Sequence, residues 1–198
     1  MRAPLLHFYA VFAFSFLPFV SATQPRSADA GQVILGDIDE IYNLTQQAMD
    51  FLTYGLDRFR ANGDCVKTLI DLGKKVVQIN KTKPPVAPLN DNDQKKVCDA
   101  FSGRRYTIHQ GRLMSTLQDG IYQGTKASFA GYYGALVRRF IPIFSEFEDW
   151  VIKTIPNCGV RALSDKAVLL AFRTEAAATI ELSRGYNKAQ GDQIPDFG

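Results

Sequence analysis

The chain has 198 residues, with 23 Lys and Arg against 20 Asp and Glu and a formal net charge of +3. That is about one domain, large enough to bury a core. Its basic residues fall in scattered pairs such as Arg104-Arg105, Arg138-Arg139 and Lys95-Lys96, whereas binding to nucleic acid needs them clustered on one face.

Arg2 is the only charged residue before Arg26, and an apolar run from Leu5 to Leu17 lies between them, ended by Pro18. A membrane span needs roughly 20 apolar residues, and no Lys or Arg cluster follows to stop transfer. Val20-Ser21-Ala22 then supplies the small residues of a signal-peptidase site. The pattern predicts a cleavable signal peptide over residues 1–22, a mature chain starting at Thr23, and a secreted, extracellular protein without a transmembrane anchor. Cleavage removes Arg2 and no acidic residue, so 23 − 1 = 22 basic groups face 20 acidic ones and the charge falls near +2. The end of the chain is polar and lacks the apolar tail of a lipid-anchor signal.

Residues 23–32 carry Pro25 and Gly31 and no apolar period, which predicts a flexible N-terminal arm. A helical domain is expected over residues 33–187. Its first helix has Ile34, Ile38, Ile41, Thr45, Ala48, Leu52, Gly55 and Phe59 at steps of three and four, one buried stripe. Asn62-Gly63-Asp64 reads as a stop and restart. In the second helix Val66, Leu69, Ile70, Gly73, Val76, Val77 and Asn80 keep helical spacing until Pro84, Pro85 and Pro88 forbid it. A third helical region, capped by Asn90 or Asn92, is expected to bury Val97, Phe101, Ile108, Leu113, Leu117 and Ile121.

The fourth helix is the richest in apolar groups: Phe129, Tyr133, Leu136, Phe140, Ile143, Phe147 and Trp150 form its stripe, and Tyr132, Val137, Ile141, Phe144 and Val151 widen it. Pro142 lies inside that pattern and predicts a kink. The fifth helix starts near Ser164-Asp165 and is expected to bury Leu163, Ala167, Leu170, Ala171, Thr174, Ala178 and Ile180 or Glu181. Residues 188–198 read as a flexible C-terminal tail. No stretch alternates with period two long enough for a strand. The fold class is therefore all-α, a single antiparallel bundle of about five helices with a Pro-rich loop between helices 2 and 3.

Three cysteines in an oxidising compartment allow one intramolecular disulfide. Up-and-down topology puts Cys65 at one end of the bundle and Cys98 and Cys158 at the other, which predicts a Cys98 to Cys158 bridge. Asn43-Leu44-Thr45 and Asn80-Lys81-Thr82 fit the N-glycosylation pattern, and Asn80, beside the proline loop, is the better acceptor.

Chemistry is sparse. His109 is the one histidine left after the leader, without the neighbours of a catalytic base. Three separated cysteines and one histidine do not make a zinc centre, and no Gly-rich phosphate loop is present. The carboxylate groups Asp37-Asp39-Glu40 and Glu146-Glu148-Asp149 fall mainly on polar helix sides and read as solvated. A non-enzymatic protein without a cofactor is expected. The aromatic fourth helix can instead line an apolar cavity, and Tyr133, Leu136, Phe140, Phe144 and Phe147 are the candidate ligand-binding residues.

Ile38-x-x-Ile41 in a long first helix, Lys126-x-x-Phe129-x-x-x-Tyr133, the run Trp150-Val151-Ile152-Lys153-Thr154-Ile155-Pro156, and Ala178-x-Ile180 leading to Tyr186 together resemble the fungal cell wall galactomannoprotein family, also called the hydrophobic surface-binding protein A family. The resemblance is one of spacing over most of the mature chain. It implies a secreted helical protein, associated with the cell wall in some members, that binds a fatty acid or a hydrophobic surface through its apolar interior. The competing expectation is a secreted effector or cytokine-like protein that recognises a host or cell-wall partner through its outer surface.

Overall fold

The computed structural model describes residues 27–54, 58–122, 127–183 and 185–197, and the leader expected over residues 1–22 lies outside them. The described residues are all helical, without a strand. We number the α-helices α1 (Ser27–Tyr54), α2 (Arg58–Thr82), α3 (Asp91–Phe101), α4 (His109–Tyr122), α5 (Ala130–Thr154), α6 (Gly159–Glu181) and α7 (Lys188–Gly191). None is long and apolar enough to cross a membrane.

Side-chain contacts between helices fix their directions. Asn62 meets Tyr133, Asn80 meets Ile143 and Lys83 meets Glu146, so α2 and α5 run the same way. Arg138 pairs with Glu181, Glu148 with Arg173 and Asp149 with Lys166, so α5 and α6 run opposite. Thr45 meets Gln110 and Asp39 meets Arg105, so α1 runs beside the α3 to α4 segment in the same sense. The long helices form a bundle around α5, whose residues from Tyr133 to Val151 supply the centre of the core.

On α1 the expected stripe is buried at Ile34, Ile38, Ile41, Thr45 and Ala48 and half-buried at Leu52, whereas expected Gly55 lies outside the described residues and residue 59 belongs to α2. Three boundaries differ from the expectation. Helix α2 runs unbroken through Asn62-Gly63-Asp64. There Asn62 is buried and its side chain accepts a 2.7 Å bond from Tyr133, so a tertiary contact uses the group that was read as a cap. Residues 27–32, expected in the arm, already belong to α1, because Gly31 lets α1 approach Asp93 of α3. The third helical region is two helices. Gly103 opens a π-helical turn over Arg104–Ile108, and Thr107 Oγ1 donates to the Phe101 carbonyl at 2.6 Å, bridging the break. The turn points Tyr106 inward and leaves Ile108, an expected core residue, 43% exposed.

Residues 83–90 carry no helix, and they are strapped to α5. Trp150 Nε1 donates to the Pro84 carbonyl at 3.2 Å, and the Leu89 amide donates to the Thr154 carbonyl at 3.0 Å. Asn90 caps α3 by accepting from the Asp93 amide. The C-terminal segment, expected to be flexible, is tied down. Gln190 accepts from the Gly131 amide and so satisfies a donor at the start of α5, whose own N-cap residue offers no side chain. Ile194 is buried, and the Phe197 ring lies over Gly73 of α2, where any Cβ would overlap it. Its polar composition hid these two apolar anchors.

The structure joins Cys98 to Cys158 with Cα atoms 6.3 Å apart, while Cys65 is buried away from the bridge. Closing 60 residues of sequence contributes about 3 to 4 kcal/mol on the loop-entropy model. The double variant Cys98→Ala/Cys158→Ala is therefore expected to lose about that much in urea unfolding, and a loss under about 1 kcal/mol contradicts it.

Candidate functional site

Tyr133, Leu136, Phe140, Phe144 and Phe147 do come together, all on α5 and all without exposed surface. Helical spacing alone puts them on one side. Their surroundings are protein. Phe140 meets Phe144 edge-on at 5.3 Å and Phe197 at 6.0 Å, Phe147 meets Tyr106 at 5.7 Å and Trp150 at 6.1 Å, and Tyr133 donates to Asn62. Burial beside Cys65 holds the Tyr133 phenol far above its ordinary pKa, so it stays protonated. Three surface grooves lie elsewhere: beside Arg138 and Tyr186, beside Tyr42 and His109, and beside the disulfide. None is lined by any of the five.

At the C-terminal end of this row, against Phe144, lies a charged pair that periodicity alone did not show. Arg173 of α6 donates through one terminal nitrogen to Glu148 Oε1 of α5 at 2.7 Å, and both side chains are fully buried. Tyr106 Oη donates to the same oxygen at 2.9 Å. The guanidinium lies 4.5 Å from the Phe144 ring centroid, on its face. Burial opposes the Arg173 charge, but Glu148 outweighs it and leaves the arginine above its ordinary pKa. Burial, with Glu148 adding to it, drives the Tyr106 phenol well up. Glu148 Oε2 and Arg173 Nε and Nη1 are buried with no partner within hydrogen-bonding distance.

Glu148 therefore does not belong to the solvated face assigned to it. Its neighbours do: Glu146 pairs with Lys83 and Asp149 with Lys166 at half-exposed positions. The signal was available in the spacing. Glu148 is four residues from Phe144, and Arg173 is four from Leu169 and three from Ala176, both inside buried stripes. In the other acidic group Asp39 pairs with Arg105 and Glu40 with Lys75, while burial lifts Asp37 to about 6 against the pull of Lys75.

The second unexpected surface is the outside of α6. Of the residues expected to be buried there, Ile180 is buried, whereas Leu163 is 54% and Leu170 37% exposed, and Ala167, Ala171, Thr174 and Ala178 are exposed too. Helix α6 carries two apolar stripes, and the core takes the other one, Ala162, Leu169, Ala176, Ala177 and Ile180 with Arg173 among them. The outward stripe gains Val160 at 89% and Leu182, just past the helix end, at 87% exposure.

His109 is half-buried, its Nε2 3.1 Å from Gln46 Oε1 and its ring 4.4 Å from Tyr42. No group of three His, Cys, Asp or Glu placed to hold a metal occurs among the described residues. Asn80 donates its amide to the Ile143 carbonyl at 2.8 Å, whereas Asn43 is exposed. No family model, curated protein or solved structure matches the chain.

Removing one partner of a buried pair leaves the other charge uncompensated, at a cost of about 3 to 5 kcal/mol. Arg173→Met is expected to lose that much in urea unfolding, whereas Arg173→Met/Glu148→Met/Tyr106→Phe recovers most of it. A single variant as mild as the triple one contradicts a desolvated pair.

Proposed function

We propose that the chain is an exported, non-catalytic binding protein that recognises its partner through the outer face of α6. The observation that carries this reading is the contrast between the two candidate surfaces. The five aromatic and aliphatic residues of α5 are enclosed by protein, while α6 shows the solvent a row of apolar side chains from Val160 to Leu182. An apolar stripe on a water-facing helix is the usual signature of a docking surface. The helices fit an up-and-down bundle in which α3 and α4 act as one interrupted rod, and such a bundle holds α6 at its edge. The leader, the disulfide and the Asn43 sequon support release outside the cell, and the resemblance to a cell-wall family supports action on apolar matter there.

One observation favours interior binding of a fatty acid as the second reading. Arg173 keeps two donors without a partner beside Phe144, the kind of polar anchor that orients a carboxylate in an apolar site. Seating such a ligand requires α5 and α6 to separate.

A pair of measurements decides between them. Leu163→Lys/Leu170→Lys replaces half-exposed side chains, so its melting temperature should stay within about 4 °C of the parent, the shift that about 1 kcal/mol produces in a chain of this size. Its retention on phenyl-agarose should drop several-fold. A titration of the parent with cis-parinaric acid should show no saturable binding at micromolar concentration. Unchanged retention contradicts the α6 reading, and saturable binding that Phe144→Ala abolishes moves the function to the interior.

A further inference from the structure

Resting on the α6 reading, we propose that the partner of this face is a second copy of the same chain, packed with its α6 antiparallel to the first. The outward stripe, Val160, Leu163, Ala167, Ala171, Thr174 and Ala178, contains no charge and advances by three or four residues, the spacing of a helix that docks along its length on another helix. A solitary stripe of this kind fits many partners. Two features single out a copy of itself, and a third sets how tightly it binds.

The first is size along the stripe. With the two-fold axis near residue 169, Val160 at one end faces Ala178 of the second copy at the other, and Ala167 faces Ala171. Val160 thus meets a small residue at each end and Ala167 meets Ala171 beside the axis, while Leu170, one residue from that axis, stands within about 3 Å, along the helix, of the level of Leu170 in the second copy, and the helix axes pack at about 8 to 10 Å. The second is charge. Along α6, Arg161 and Glu175 are the charged residues classed as exposed, and they lie on the same flank of the stripe. Side chains on one flank of an antiparallel two-fold pair meet the same flank of the other copy. At 1.5 Å of rise per residue, Arg161 then stands within about 3 Å, along the axis, of the level of Glu175 in the second copy. The contact occurs twice by symmetry. A parallel two-fold pair puts the two flanks on opposite sides of the seam, where Arg161 and Glu175 do not meet, so charge complementarity favours the antiparallel arrangement. Arg161 already anchors one terminal nitrogen on the Ser102 carbonyl at 3.2 Å, which leaves its remaining donors for the carboxylate. Among the described residues Glu175 has no ion pair.

The third feature is area. A helix of 23 residues is about 35 Å long and about 10 Å across, so its footprint stays below the roughly 800 Å² per partner of a standard stable interface. The pair should therefore be weak, dissociating in the micromolar range or above, so that the face is open in dilute solution and covered at high concentration.

Cross-linking of engineered cysteines tests the arrangement directly, because Cys98 and Cys158 are already bonded and Cys65 is buried. Val160→Cys and Ala178→Cys are exposed substitutions, and retained helicity and melting temperature check their folding. On mild oxidation at 200 µM, an equimolar mixture should form disulfide-linked dimer at least ten times faster than Val160→Cys alone. Sedimentation should show mass rising with concentration for the parent, several-fold weaker association for Glu175→Arg, and restored association for Arg161→Glu/Glu175→Arg. Cross-linking of Val160→Cys alone as fast as the mixture overturns the antiparallel register. A chain that stays monomeric and uncross-linked at 200 µM overturns the second copy as partner. If Leu163→Lys/Leu170→Lys still abolishes retention in that case, the α6 face remains the recognition surface for a different partner.

Discussion

The contact between Arg173, Glu148 and Tyr106 is the constraint on which the rest of the structure depends. A guanidinium and a carboxylate lose their water when buried, and only close pairing offsets that cost. The pair therefore fixes the rotation of α6 about its axis and its height along α5. Tyr106 adds a third element, because its hydroxyl reaches Glu148 only when residues 104–108 leave the α-helical path. The π-helical turn between α3 and α4 and the buried ion pair are two ends of one arrangement. Apolar side chains of the same volume often stabilise a core as much or more, so what the pair contributes here is a single register for three helices.

That register decides what the outside of the molecule looks like. Helix α6 carries apolar stripes on two of its sides, and they compete for the core. Judged by composition, the stripe through Leu163, Leu170 and Ala178 is the better core, being apolar apart from Thr174. The structure buries the stripe that contains Arg173, because Glu148 waits for it on α5. The exposed apolar row is thus a consequence of an interior electrostatic choice, and so is the face assigned to recognition.

The same competition explains how much was legible. Where one stripe is apolar and the opposite side is charged, as on α1 and α5, periodicity located most of the core, with Leu52 and Ile143 only half-buried, and bundle topology identified the Cys98 to Cys158 bridge. It failed on α6, where both sides are apolar and only a long-range partner breaks the tie. It failed also at Asn62, a residue with the character of a cap that is used by Tyr133, and at the C-terminal segment, whose anchors Ile194 and Phe197 are too far apart to form a period. The five α5 residues do line one buried side of the helix. Glu148 and Arg173 sit at the C-terminal end of that row, against Phe144, and that pair shows in the sequence only when charges are checked for phase against the stripes around them.

Hydroxyl-radical footprinting of the dilute, native protein tests the central division between a closed interior and an open α6 face. The account predicts oxidation at Val160, Leu163 and Leu182, with Tyr133, Phe140, Phe144 and Phe147 protected to the level of Phe101. Strong labelling of the α5 aromatics with a protected Leu163 contradicts it.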